Sequence, residues 1–281
     1  MYGCYQLYLE YALVYFGQEV LLVQELLYIY ESGLPHSLCD YHPVQRVHQH
    51  FKHFILFTLI LSILFMLIQV PFYKGQEYGY QYKNVMTKLK LLSMEKENSI
   101  DVMFLGDSEG KAAFDSLSLF HEHGISSYNL CTNFQWAIDT VALANHMYAS
   151  QKPKLVVMEA SFILTTLRKR RILLAKYLPI FNYHELYKQY LIHPDKPAVF
   201  KGFSPTDKAV PFTGSLEYMI EDTSYYPIDA WTLDYLQQVK ETLEKQGTKL
   251  LLVSAPNPLY WNTAKHNAIQ TWCDQNQVTY V

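Results

Sequence analysis

The sequence predicts an α/β protein: a three-layer αβα domain on a parallel sheet, preceded by an N-terminal membrane-spanning helix. Two observations lead to this prediction. One uncharged apolar run is long enough to cross a bilayer, and the chain after it alternates short apolar strands with helices. Half of the 281 residues are hydrophobic and 17% are charged, which excludes a disordered polymer. The net charge of −3 gives no sign of nucleic-acid binding.

The apolar run covers residues 54–70 without a single charge and reaches 73 before the first lysine. Twenty helical residues span about 30 Å, the thickness of a bilayer core. Arg46 and Lys52 precede the run, so the positive-inside rule places the upstream side in the cytoplasm. We therefore expect a single-pass protein of the cell membrane with an extracytoplasmic C-terminal domain. The alternatives are a signal peptide, which lacks a small-residue cleavage site here, and a buried core helix.

Four segments follow from this interpretation. They are an N-terminal segment at 1–50, a transmembrane helix at 51–73, a juxtamembrane linker or helix at 74–98, and the α/β domain at 99–281. The first 31 residues are apolar and tyrosine-rich but carry Glu10, Glu19 and Glu25. An interfacial helix, a second span and a mistaken translation start, with the true start near Val44, all agree with that composition.

Strands and helices alternate through the domain. The predicted strands are 99–105, 125–130, 154–158, 248–254 and 278–281, and the predicted helices are 108–120, 136–150, 230–246 and 263–276. Apolar strands alternating with helices of this length indicate a parallel sheet covered on both faces. Ligands of such sheets bind at the carboxyl ends of the strands.

The sharpest candidate site is Gly106-Asp107-Ser108, where the first strand ends and a helix begins. A serine at this place presents its hydroxyl beside a helix N-terminus, where backbone amides and the helix dipole favour developing negative charge. Asp107 is expected to accept hydrogen bonds that shape the loop. The same pair of residues is also a common helix N-cap, which is the purely structural alternative.

This block resembles the first motif of the SGNH/GDSL hydrolases. The chain is similar in particular to the membrane-anchored, extracytoplasmic SGNH-like proteins of the D-alanyl-lipoteichoic acid biosynthesis type. The residues that carry the resemblance are, in chain order, Gly106-Asp107-Ser108-Glu109, Phe114-Asp115, Gly124, Tyr128-Asn129-Leu130, Gln135 and Ser254-Ala255-Pro256-Asn257-Pro258. The resemblance covers about residues 100–281 and implies an SGNH/flavodoxin-like sheet.

The resemblance implies a serine esterase or O-acyltransferase for acyl esters of a cell-envelope polymer, such as a cell-wall polysaccharide or teichoic acid. Ser108 would be the nucleophile and form an acyl-enzyme. Its amide and the Asn257 side chain would stabilise the oxyanion, and Cys131 stands where the family has a glycine whose amide donates. An Asn-Pro turn and a small residue at a strand end are the respective alternatives. The implied partners are the membrane and a membrane-bound O-acyltransferase.

No cofactor or metal is expected, since the sequence has no phosphate-binding glycine loop, no zinc motif and no C-x-x-C pair among its four cysteines. The sequence departs from the family in its general base. The family's Asp-x-x-His block follows a further strand, whereas no histidine here has an acid three residues before it. His266, the last histidine, is expected to be a packing or surface residue.

We therefore expect a fragment of an active enzyme or an inactive copy, with a sheet that is incomplete at its C-terminal edge. The alternative function is a non-catalytic membrane partner of an O-acyltransferase. Two further features remain open between a ligand-binding and a structural role. The basic run 168–171 suits an anionic polymer or a solvated helix face. The aromatic residues at 225–226 and 260–261 suit a carbohydrate cleft or buried corners.

Overall fold

The computed structural model describes residues 42–281, except 206–210, 216, 218, 221–222 and 256, and describes only the backbone of 42–49. Most of the expected N-terminal segment, residues 1–41, and Pro256 of the motif at 254–258 lie outside the described residues. The chain divides into two compact units between Leu64 and Phe65.

The apolar run forms helix α1, His42–Gln69, which continues as a 3₁₀ helix, Val70–Tyr78. The α-helix ends just before Pro71, because proline has no amide hydrogen to continue the ladder. The stretch His50–Tyr78 has a mean hydropathy of 2.5 over its most apolar window and is long and apolar enough to cross a membrane. Nearly all of its large apolar side chains are exposed. A helix that is apolar on every side is typical of a membrane span.

Five parallel strands form one sheet. They are β1 Val102–Leu105, β2 Ser127–Asn129, β3 Leu155–Glu159, β4 Lys249–Val253 and β5 Thr279–Tyr280. Their order is β2-β1-β3-β4-β5, with Phe104 beside Asn129 on one side and beside Val157 on the other. The predicted parallel sheet is confirmed. Four of its strands are shorter than the sequence pattern suggested, whereas β3 has the predicted length and lies one residue further along the chain. This order is one of the two common doubly wound arrangements.

The helices of the domain occupy the segments between and before these strands. They are α2 Tyr82–Leu92, α3 Ser108–Ala113, α4 Ser116–His123, α5 Ala137–His146, α6 Lys169–Tyr177, α7 Ile180–Tyr183, α8 Leu186–Leu191, α9 Ala230–Lys245 and α10 Thr263–Asn276. Short 3₁₀ turns lie at Met147–Ala149 and Ser161–Leu164.

The single helix predicted for 108–120 is wrong, because the chain breaks between α3 and α4. Phe114 is extended, and the Asp115 side chain accepts hydrogen bonds from the Leu117 and Ser118 N–H groups at 2.9 and 3.2 Å. A carboxylate that satisfies the free amides of a helix start makes a new N-cap. The break turns α4 onto the sheet while α3 stays at the end of β1.

Side chains alternate along each strand between two cores. Met103 and Leu105 lie in the larger core, together with residues of α2, α5, α9 and α10. Phe104 lies in a smaller core on the other face, with Cys131 and Val157. Its ring stacks on Phe114 at 4.5 Å between centroids. The end of α3 therefore packs on the smaller core through Phe114.

Candidate active site

Ser108 lies at the point where the sheet changes winding direction. β1 is flanked by β2 on one side and β3 on the other, and the carboxyl ends of such strands open into the binding crevice of doubly wound folds. Ser108 begins α3 and is exposed. Neither its hydroxyl nor its N–H forms a hydrogen bond with any residue that the structure describes.

The loop before Ser108 requires glycine and is shaped by Asp107. Gly106 has φ +150°, and a Cβ at this position would lie 2.8 Å from the Glu159 Cβ. Asp107 is the N-cap of α3 and accepts a hydrogen bond from the Glu109 N–H at 2.9 Å. Gly106 thus lets β1 and β3 approach closely, and Asp107 fixes the first turn that carries Ser108.

Asn129 joins the end of β2 to α3. Its buried Nδ2 donates to the carbonyls of Gly110 and Phe114, both at 3.0 Å, and its Oδ1 accepts from the Cys131 N–H at 2.9 Å. The Cys131 N–H, the expected oxyanion donor, is therefore engaged by Asn129. It would have to leave this bond before it could donate to an oxyanion.

The Cys131 thiol is a packing group. It is fully buried, and a Cβ built on Gly110 would lie 2.9 Å from its Sγ. Burial raises the pKa of this thiol far above its ordinary value, and the nearby Lys88 charge opposes that shift in part. The thiol stays protonated, and its small size lets α3 lie close to the sheet.

Asn257 follows β4 and reaches the residue next to Ser108. Its Nδ2 donates to both carboxylate oxygens of Glu109 at 3.0 Å. Its carbonyl also accepts from the Trp261 N–H at 2.8 Å, so Asn257 closes a turn as well. The structure therefore brings Asn257 to the Ser108 loop, where its amide binds Glu109.

Glu159 completes the site and was not predicted from the sequence. It ends β3 and is 1% exposed. The Ser161 N–H donates to both of its oxygens at 3.0 Å, and Ser161 Oγ lies 2.5 Å from Glu159 Oε2 and 3.3 Å from Asp107 Oδ1. The available signal was an acid directly after an apolar strand, at the same sheet edge as Asp107.

The carboxyls around Ser161 share an unfavourable environment. Burial is the main cause that raises the pKa of Glu159, to about 7, and the charges of Asp107 and Glu109 add to it. Burial also raises the pKa of Asp107. A protonated Glu159 donates to Ser161 Oγ, whose own hydrogen then reaches Asp107. When Glu159 is ionised, it accepts a hydrogen bond from the Ser161 hydroxyl, and Asp107 no longer receives one from that group.

Lys88 braces the outer side of β2. Its Nζ donates to the carbonyls of Asn129 and Gly202 at 2.9 and 2.7 Å. Burial lowers its pKa to about 8. Gly202 has φ +81°, and a Cβ there would lie 2.0 Å from the Asn129 carbonyl oxygen. The chain around Gly202 therefore covers this edge strand closely, which also positions Asn129.

No histidine in the described part of the chain hydrogen-bonds to Ser108. His266 lies within α10 with its ring 5.1 Å from that of Tyr280, as expected for a packing residue. Among the described residues, no group of three or more His, Cys, Asp or Glu side chains is placed to hold a metal ion.

The structure describes both features that the sequence left open. Arg168 is the N-cap of α6, and Lys169 forms an ion pair with Asp229 at 2.7 Å. Trp261 is buried in the larger core, whereas Tyr260 is exposed three residues after Asn257. Of these two aromatics, Tyr260 is the one accessible to a ligand.

The fold and this loop together define an α/β protein with an exposed serine at the switch point of a parallel sheet. No protein-family model and no curated protein matches the chain. Among solved structures, it is similar to a Bacteroides fragilis protein provisionally described as an acylhydrolase. The TM-score is 0.34 and the identity 13%, over 68% of this chain and 72% of that chain. This likeness is too distant to assign an activity, so the residues around Ser108 must carry any assignment.

Proposed function

We propose that the chain is a membrane-anchored, extracytoplasmic serine esterase or O-acyltransferase of the SGNH-like type. The observation that carries the proposal is Ser108 itself. Its hydroxyl is exposed and unpartnered among the described residues, at a helix start directly after the strand beside the switch point. Asp107 and Glu159 fix that loop, and Asn257 reaches it from β4.

The proposed step is acyl transfer through the serine oxygen. Ser108 Oγ attacks the ester carbonyl carbon, its proton passes to a base, and the oxyanion collapses as the leaving alcohol departs with a proton. Water or an acceptor hydroxyl then releases the acyl group from Ser108. The described residues supply no histidine for the base, so this step requires a base from outside the contacts seen here.

The free N–H of Ser108 is the first oxyanion donor in this proposal. Asn257 is the second, and it would exchange Glu109 for the substrate oxygen. Acidic residues around the loop oppose a negative charge on the substrate oxygen, and the Glu109 carboxylate competes with that oxygen for the Asn257 amide. This requirement singles out the Asn257–Glu109 contact as the one that has to change during a catalytic cycle.

The anchor suggests where the substrate is found. An exposed apolar helix long enough to cross the bilayer precedes the domain, and basic residues precede that helix. We therefore propose acyl esters of a cell-envelope polymer as substrate and a membrane-bound O-acyltransferase as partner. Both lie within reach of a domain tethered outside the cytoplasm.

A non-catalytic role beside such an acyltransferase is the second candidate. Two observations favour it: the Asn257 amide is occupied by Glu109, and no described histidine hydrogen-bonds to Ser108. A serine without a base is a poor nucleophile at neutral pH. In this role the crevice would bind an acylated chain without cleaving it.

A fluorophosphonate probe on native membranes separates the two roles. Labelling that maps to Ser108 and disappears in Ser108→Ala supports the enzyme. Ser118→Ala is the matched control, because Ser118 is also an exposed serine in the first turn of a helix, and it should label normally. An unlabelled wild-type chain that co-purifies with an acyltransferase, and still does so as Ser108→Ala, would favour the non-catalytic role.

A further inference from the structure

We propose that helices α6–α8 rest on the surface of the same membrane that α1 crosses, with their exposed apolar side chains in the interfacial layer. The side chains that form this α6–α8 surface are Leu173, Leu174, Tyr177, Phe181, Tyr190 and Leu191. The inference depends on the membrane anchor of the proposed function and is independent of catalysis by Ser108.

The outer side of α6–α8 carries exposed apolar side chains beside exposed basic ones such as Arg171 and Lys188. In α6, Ile172 and Ala175 are buried, whereas Leu173, Leu174 and Tyr177 point away from the core. Tyr177 is 62% exposed and Leu191 in α8 is 72% exposed. Contiguous exposed apolar residues on a folded domain mark a binding surface, because water contact costs free energy without any gain in packing.

This surface is attached to the end of the apolar helix. Gln69, the last residue of α1, is fully buried, and its Oε1 accepts a hydrogen bond from the Ile180 N–H at the start of α7 at 3.0 Å. Gln76 Nε2 donates to the carbonyls of Ala175 and Lys176 at the end of α6, at 3.1 and 2.8 Å. These contacts join α6 and α7 to the last residue of α1 and to the 3₁₀ helix that follows it.

The chemistry of the surface suits lipid headgroups. Tyrosine is enriched at membrane–water interfaces, and basic side chains near anionic lipids are favourable. Lys176 is exposed beside Tyr177, and Lys74, just past α1, has its Nζ 5.8 Å from the centre of the Tyr190 ring. Aromatic rings flanked by lysines at the end of a span match the lipid interface better than a purely aqueous surface.

Spin-label accessibility in lipid nanodiscs tests the proposal on the full chain. Cys4 and Cys39 are replaced by serine, and Cys131 and Cys273 are buried. A nitroxide is placed by Phe181→Cys or, in a matched control, by Phe120→Cys. The two phenylalanines are 58% and 60% exposed, and Phe120 lies in α4 on a different part of the domain. Ile63→Cys in α1 reports whether the span is inserted.

In nanodiscs of phosphatidylcholine and phosphatidylglycerol, the labels at 63 and 181 should collide mainly with oxygen. The label at 120 should collide mainly with a water-soluble nickel chelate. The oxygen-to-nickel ratio at 181 should exceed that at 120 several-fold, and a label at Leu191→Cys should repeat the result at 181.

Three outcomes overturn the inference. An aqueous label at 181 with a lipid-exposed label at 63 leaves the anchor intact and removes the α6–α8 contact. A label at 181 shielded from both reagents indicates a protein partner on this surface. An aqueous label at 63 shows that α1 does not span, whereas probe labelling of Ser108 is unaffected by any of these results.

Discussion

At the scale of single residues, Glu159 links pH to stability. Its pKa in the folded protein is about 7 against an ordinary 4.5, so the native state binds its proton more tightly than the unfolded state does. The stabilisation is complete below pH 4.5 and is lost as the pH rises to about 7. At ~1.4 kcal/mol for each tenfold change in proton affinity, the loss is roughly 3 kcal/mol.

Glu159→Gln should remove this part of the pH dependence, because glutamine mimics the protonated acid and does not titrate. Chemical denaturation across that pH range should show a flatter profile for Glu159→Gln than for the wild type. Glu122→Gln, at an exposed glutamate, is the control and should keep the wild-type profile. Parallel profiles for wild type and Glu159→Gln would show that Glu159 ionises normally.

The residues of the site were predictable in part. Ser108 and Asn257 follow apolar strands, and strand ends meet at one edge of a parallel sheet, so their proximity follows from the sequence pattern. The Glu109 contact with Asn257 and the role of Asn129 do not follow, since both depend on which way a side chain turns. The hydrogen bond that the Cys131 N–H donates to Asn129 could not be predicted for the same reason.

At the scale of elements, Asn129 is the joint between β2 and α3. Asn129→Ala would leave the Phe114 carbonyl and the Cys131 N–H without a partner, and the Gly110 carbonyl would keep only its bond from the Phe114 N–H. We expect a loss of roughly 3 kcal/mol in the free energy of unfolding, because each unsatisfied buried group costs about 1–3 kcal/mol. Thermal or denaturant unfolding measures it.

Asn133→Ala is the control for that change, since Asn133 is exposed and its contact is a 3.4 Å bond with Lys111. Its effect should stay within about 0.5 kcal/mol. Equal effects of Asn129→Ala and Asn133→Ala would mean that β2 and α3 hold together without the Asn129 amide.

Some helices of the domain can be predicted from the local sequence pattern, and others cannot. α9 and α10 start and end almost where predicted, because Asp229 and Asn262 cap regular amphipathic runs. Of α6–α8, only a helix face at 168–171 was among the alternatives, because apolar residues lie on both the inner and outer sides of these helices and no helical period stands out. A helix that meets lipid on one side and a protein core on the other has apolar residues on both sides. It therefore lacks the helical period of apolar and polar residues from which a helix is predicted.

At the scale of the whole molecule, α1 should determine where the protein resides. Leu61→Arg together with Leu64→Arg places two charges near the middle of the span, at about 2.5–3.5 kcal/mol each. We expect the wild type to resist extraction by alkaline carbonate and the double variant to be released. The same change at Leu117 and Phe120, two exposed residues of α4, should leave the protein in the membrane fraction. Release of the wild type would show that α1 is covered by protein instead of lipid.

The orientation of the domain follows from the same helix. Arg46 and Lys52 precede the span, so the positive-inside rule predicts that the α/β domain, and with it Ser108, faces away from the cytoplasm. In the background without Cys4 and Cys39, Phe120→Cys should react with a membrane-impermeant maleimide in intact cells as fully as in lysed cells. The background protein without Phe120→Cys should stay unlabelled, because Cys131 and Cys273 are buried. Labelling that appears only after lysis would place the domain in the cytoplasm. It would also remove cell-envelope polymers from the substrates that Ser108 can reach.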